Sequence, residues 1–193
     1  MKILLLCGDS MTGKTTIMKK LCQTYPYLYH PIMSYTTRPK RSEDEYGHIF
    51  VTEEEMWNKM HQQGLVARTL IDGNFYFTTP EQFVDDKINI YIVDGLGVLD
   101  VKNFIKLTYD IDDDVSTCTV LITRDLYDTD EYMERLIRPI ILPPASEIDM
   151  EIRNDNGYLY RTVAMVHHLS QMHFNDNITM EQFNQIIKDV IFG

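Results

Sequence analysis

An unbroken apolar run, Ile3-Leu4-Leu5-Leu6-Cys7, opens the chain, and two more follow at Ile88 to Val93 and Thr117 to Ile122. Short continuous runs of this kind suit strands buried on both faces of a parallel sheet. Stretches with helical signals separate them, and the alternation predicts a three-layer α/β fold built on a parallel central sheet. Helix starts are marked by Thr52 with Glu55 and by Thr179 with Gln182, both spaced as capping boxes, and by Thr79-Pro80-Glu81-Gln82, where an N-cap candidate precedes a proline. Gly64 closes the helix opened at Thr52. The first helix, from Thr15 through Cys22, stops near Tyr25 because Pro26 cannot continue its hydrogen-bond ladder. A last helix, Met180 to Phe192, carries Phe183, Ile186, Ile187 and Val190 at core spacing. His167 and His168 are adjacent on a helical stretch and point in different directions, which argues against a shared metal.

Between the first strand and the first helix lies Gly8-Asp9-Ser10-Met11-Thr12-Gly13-Lys14-Thr15, a complete Gly-x-x-x-x-Gly-Lys-Thr phosphate loop, followed by Thr16. Glycines let backbone N–H groups curl around an anion, and the helix N-terminus adds partial positive charge. Lys14 supplies a compact cation for the outer phosphates, and Thr15 offers a hydroxyl to the magnesium that accompanies a nucleoside triphosphate. The fold class that follows is a phosphate-loop NTPase.

Composition narrows the picture. The chain of 193 residues is long enough for one domain with subsidiary lobes. A net charge of −11 argues against a nucleic-acid polymer or an anionic membrane as partner, since both are met by basic surfaces. An anionic nucleotide must therefore be caught by locally clustered arginines. Cys7, Cys22 and Cys118 are odd in number and widely spaced, and read as reduced residues of a cytoplasmic protein. The apolar start is too short for a secretion signal and reads as a strand; no run approaches the ~20 apolar residues of a membrane helix. Asp110-Ile111-Asp112-Asp113-Asp114 reads as a solvated acidic loop.

Ser34-Tyr35-Thr36-Thr37-Arg38-Pro39-Lys40-Arg41 is too rich in threonine and proline for a stable helix and predicts an irregular loop. Arg38 and Arg41 could together hold a monophosphate through paired donors, or stand as exposed basic residues. Here the chain resembles guanylate kinase. The motifs that carry the resemblance are Ser34-x-Thr36-Thr37-Arg38-Pro39-x-Arg41, Gly47 before Phe50-Val51, Gly73-Asn74-Phe75-Tyr76 with Thr78, Asp94-x-x-Gly97-Val98, and Asn154-Asp155, in that family's order and spanning residues 1 to about 160.

The resemblance implies an ATP-binding core (1–32 and 80–193), a small mixed α/β lobe (about 33–79) for a nucleoside monophosphate, and a short lid (about 124–147). Ser34, Arg38, Arg41 and Tyr76 match residues holding the acceptor phosphate, with His48 in place of a family tyrosine. Thr78 matches a hydroxyl that contacts guanine, and Asp94 an acid lying between the two nucleotides. Arg124, Arg135 and Arg138 are lid candidates, the last two on a helix from Thr129 to Arg138. The family's guanine-reading glutamate falls on Ala67, beside Arg68, and its glutamine before Gly97 falls on Leu96. The expected activity is ATP- and Mg2+-dependent phosphorylation of a nucleoside or deoxynucleoside monophosphate, GMP or dGMP by default. Two alternatives stand beside it: a kinase for a non-guanine or modified base, and a non-catalytic binding or scaffold module.

Overall fold

The computed structural model describes residues 1–110, 114–124, 141–155 and 157–175. Its central sheet has five parallel strands: β1 (Lys2–Cys7), β2 (Tyr29–Ile32), β7 (Ile88–Ile92), β8 (Ser116–Thr123) and β9 (Met150–Arg153), in the order β2-β7-β1-β8-β9. The first strand shows why its sequence does not alternate. Leu4 and Leu6 face a cluster formed with α1 (Lys14–Thr24) and α4 (Leu159–Phe174), while Ile3, Leu5 and Cys7 face one formed with α3 (Gly95–Thr108). Both faces are covered by helices, giving the three layers.

A second sheet, in the order β4-β3-β6-β5, joins β3 (Ser34–Thr36), β4 (His48–Phe50), β5 (Ala67–Ile71) and β6 (Asn74–Thr78). Here the pattern does alternate. Tyr35, Phe75 and Phe77 pack on Met56 and Met60 of α2 (Glu53–Gln63), whereas register puts Ser34, Thr36, His48, Tyr76, Thr78, Ala67 and Thr69 on the other face.

Several expectations change. Ser34–Thr36 is a strand, not the start of an irregular loop; the loop begins at Thr37, held by Thr37 N–H to the Phe75 carbonyl at 3.1 Å. The helix signalled at Thr79 runs a single 3-10 turn, Pro80–Gln82. It stops because the Asn89 side chain accepts from Val84 N at 2.9 Å and donates to Val84 O at 2.7 Å, holding the chain extended. The capping box at Thr52 and Glu55 forms, α2 ends at Gly64, and α1 ends at Thr24 with Tyr25 as its cap. The helices expected at Thr129 to Arg138 and at Met180 to Phe192, and residues 111–113 of the acidic loop, lie outside the described residues.

Helix α4 is tied to Tyr25 at the end of α1 and to Tyr29 of β2 by a half-buried polar cluster. Tyr25 stacks on His167 at 3.9 Å between centroids, and the Tyr29 hydroxyl reaches His167 Nδ1 and Ser170 Oγ, each at 2.9 Å. Burial, with His168 beside it, pushes the His167 imidazole down to about 4. Its folded-state value lies below the ordinary 6.5, so the unfolded chain takes up a proton first as pH falls. Stability contributed here is full above pH 6.5 and is lost as pH drops toward 4. Discounted for partial exposure, this amounts to about 1–2 kcal/mol. Melting temperatures of the wild type and His167→Gln between pH 7 and 4 check it: the wild type should lose several degrees more than the variant.

Candidate functional site

The glycine-rich loop leaves β1 at its carboxyl end and enters α1 at Lys14. Gly8 has φ +132°, and a Cβ there would lie 2.1 Å from the Ile122 carbonyl oxygen; Gly13 has φ +92°, and its Cβ would lie 2.5 Å from Asn154 Nδ2. Only glycine fits at either end of the loop. Met11, at φ 66°, is strained between them, and the surroundings fix it. Arg124 Nη1 donates to the Met11 carbonyl at 3.3 Å, Asn154 Nδ2 to the Thr12 carbonyl at 2.7 Å, and Thr12 Oγ1 to the Asp9 carbonyl at 2.9 Å. Asn154 is itself anchored at the end of β9, its N–H on the Thr123 carbonyl at 2.7 Å. The motif pair Asn154-Asp155 is therefore, through Asn154, a brace for the loop, a role no spacing rule supplies.

Lys14 Nζ lies inside the loop, donating to the carbonyls of Gly8 (2.8 Å) and Asp9 (2.5 Å) and more weakly to Thr12 Oγ1 (3.3 Å). Burial lowers its ammonium to about 8, against the opposing pull of Asp9. A cation held this way gains from any anion that approaches it. The first N–H groups of α1 have no partners within the helix, and Thr15 and Thr16 are exposed at its start. Ammonium, helix terminus and glycine cradle together fit a polyphosphate, and the Thr15 hydroxyl fits a magnesium ion beside it.

The second basic loop lies against the first. A Cβ on Gly47 would sit 3.6 Å from Thr15 Cγ2, and Lys19 Nζ is 5.4 Å from the Tyr46 ring centroid. Within the loop Arg38 Nε donates to the Tyr76 hydroxyl at 3.0 Å, and Arg38 Nη2 and Nη1 reach Glu45 Oε1 and Oε2 at 2.5 and 3.4 Å. His48 meets Tyr76 edge to face at 5.4 Å. Burial and the Arg38 charge both lower its imidazole pKa, and Nδ1 is buried without a hydrogen-bond partner among the described residues. Arg38, Tyr76 and His48 thus converge on one spot. Arg41 is exposed at the loop's edge, and its backbone N–H donates to Glu45 Oε2 at 2.7 Å.

Asp94 caps α3, accepting from Gly97 N at 2.8 Å and from Thr69 Oγ1 at 3.2 Å, both on Oδ1. Thr69 is a positioning residue that the sequence did not single out. Ala67 is buried in the cluster with Val66, Tyr91 and Val93. Ser34 and Thr78 are buried as well, their hydroxyls against the Tyr91 phenol, whose pKa is raised by its burial. Arg124 touches the phosphate loop, with its Nε buried and unpaired among the described residues. An open cavity of about 520 Å³ next to it is lined by Thr123, Arg124, Glu151 and Arg153. Arg135 and Arg138 lie outside the described residues. Among those residues no cluster of His, Cys, Asp and Glu forms a metal site, and no helix is long and apolar enough to cross a membrane.

A parallel sheet flanked by helices, with its first strand running through a glycine-ended loop into α1, defines the phosphate-loop class of α/β proteins. Residues 1–102 match the guanylate kinase family, and the chain belongs to that family. It is 32% identical over 108 residues to the guanylate kinase of Thermotoga maritima, covering 52% of this chain and 51% of that one. It is 36% identical over 81 residues to that of Oleidesulfovibrio alaskensis, covering 41% and 39%. In sequence the chain thus spans about half the length, or less, of these relatives. In structure the likeness is longer: the crystal structure of guanylate kinase from Anaplasma phagocytophilum matches 95% of this chain and 93% of its own, at a TM-score of 0.63 and 15% identity, which shows the shared fold.

Proposed function

We propose that this protein transfers a phosphoryl group from ATP to a nucleoside monophosphate. The observation that carries the reading is the placement of Gly47 beside Thr15, so close that a Cβ on Gly47 would reach the Thr15 side chain, which sets the Arg38 loop next to the start of the phosphate-loop helix. Lys14 and the loop N–H groups hold the donor phosphates, with Gly8, Asp9, Ser10, Met11, Thr12, Gly13, Thr15 and Thr16 shaping the cradle. Thr15 would hold a magnesium ion, which would supply charge neutralisation for the transferring group. Arg38, Tyr76, His48 and Arg41 hold the acceptor phosphate, with Ser34 supporting β3 behind them. Asp94 and Thr78 stand on the base side. Arg135 and Arg138 are the proposed lid cations. The acceptor phosphate is already a nucleophile, so the protein supplies alignment and charge neutralisation and forms no covalent intermediate.

GMP is the first acceptor to try, since the relatives are guanylate kinases. One observation favours a second reading on the base. Ala67 is buried and apolar where the resemblance places a hydrogen-bond acceptor, and the acids near it are Asp94, bonded to Thr69, and Asp100, which accepts from Arg68 N at 3.1 Å. Losing one hydrogen bond to a charged group relaxes discrimination by roughly ten- to a hundredfold. Mg-ATP with a panel of ribo- and deoxynucleoside monophosphates, read by ADP release, tests both. Turnover should require a monophosphate, with guanine favoured over the next base by less than about a hundredfold. Absence of turnover with every acceptor would contradict the kinase reading and leave the scaffold role.

A further inference from the structure

Arg38 uses four of its five guanidinium N–H donors. Its Nε is on Tyr76, its Nη1 donates to the Pro39 carbonyl at 2.6 Å, and its outer edge is bidentate on Glu45. The ion pair is well covered, with the two side chains only 10% and 14% exposed. Glu45 also accepts from the Arg41 backbone N–H. A carboxylate with two oxygens spanning a guanidinium fork and a main-chain N–H has the shape and charge sense of two phosphate oxygens. Guanidinium donors are directional and few, so an incoming phosphate cannot take the same edge while Glu45 keeps it.

We propose that Glu45 is an internal competitor for the acceptor phosphate, holding the Arg38 fork until a monophosphate displaces it and so setting acceptor affinity. The inference rests on the acceptor site assigned under Proposed function. Glu45 closes the Ser42-to-Glu45 turn of the same loop, its N–H on the Ser42 carbonyl at 3.3 Å, so release needs only its side chain to swing away while Tyr46 and Gly47 stay in place. Its partners hold it as a carboxylate: burial alone would raise its pKa, but the Arg38 and Arg41 contacts bring it below the ordinary value. At neutral pH the displaced group therefore leaves charged.

Glu45→Gln keeps the side chain's size and removes the charge. The KM for the monophosphate should fall roughly two- to tenfold, with the KM for ATP unchanged. Inorganic phosphate, titrated calorimetrically, should bind Glu45→Gln more tightly by a similar factor, and the difference should shrink as salt rises. Glu45→Asp, too short to bridge Arg38 and the Arg41 N–H, provides a second variant and should shift acceptor KM the same way. An acceptor KM that rises or stays fixed in both variants, with wild-type turnover intact, overturns the competitor role and makes Glu45 a support for Arg38. Failure of the wild type and both variants to bind phosphate or any monophosphate overturns the acceptor site itself, and this inference with it.

Discussion

Lys14→Ala lowers kcat for phosphoryl transfer roughly 10³-fold, the scale of losing a preorganised charge from a reacting site. The fold should survive the change. In the native state the Lys14 ammonium is pushed down to about 8 by burial, below its ordinary 10.5. The folded state therefore binds that proton less readily than the unfolded chain, and at neutral pH the charged side chain costs stability. Alanine removes this cost together with the contacts to the Gly8 and Asp9 carbonyls, and it is a good residue for the first turn of α1. The expected result is an inactive protein whose melting temperature is unchanged or slightly higher. Circular dichroism melts beside single-turnover assays decide it, and near-normal turnover would remove Lys14 from the reaction.

Arg38→Ala should raise the acceptor KM roughly 10²-fold, since two charge-assisted hydrogen bonds to one phosphate are lost. The KM for ATP should stay near the wild-type value, because the Arg38 side chain bonds to Tyr76, Pro39 and Glu45 and lies over Phe50, all of them outside residues 8–16. Arg38→Lys should restore only part of the affinity: an ammonium keeps the charge but cannot serve Tyr76 and a phosphate edge in one plane. Steady-state kinetics with each substrate varied in turn separates the two constants. Equal losses for both substrates would place Arg38 in the general stability of the loop.

What the chain reveals by reading differs between its two sheets. The strands β1, β7 and β8 are covered on both faces, so their apolar runs stand out, and the Lys14 loop is legible because its chemistry needs those residues consecutively. Strands β2 and β9 are the sheet edges. One contains Pro31 and the other reads Met-Glu-Ile-Arg, compositions an edge tolerates and a pattern search passes over. Strand β3 is hidden for a related reason: its three residues take their partners from β4 and β6, not from a local pattern. The proline after Thr79 marks a helix start, but nothing local announces that Asn89 cuts that helix to one turn. Arg38, Tyr76 and His48 were legible through the resemblance; Glu45 was not, since an acid in a run of acids carries no signal until the fold lays it on a guanidinium. Thr69 and Asn154 likewise act through contacts distant in sequence, on Asp94 and on Thr12.

Two proposed anion sites, facing each other across Thr15 and Gly47, are the core of the kinase reading. A crystal structure of the protein with ADP and GMP tests this. It should place the ADP phosphates in the 8–15 loop with Lys14 Nζ turned toward them, and the GMP phosphate on the Arg38 fork beside Tyr76, with Glu45 swung away. A GMP phosphate bound apart from Arg38, or ADP bound outside the loop, would contradict it.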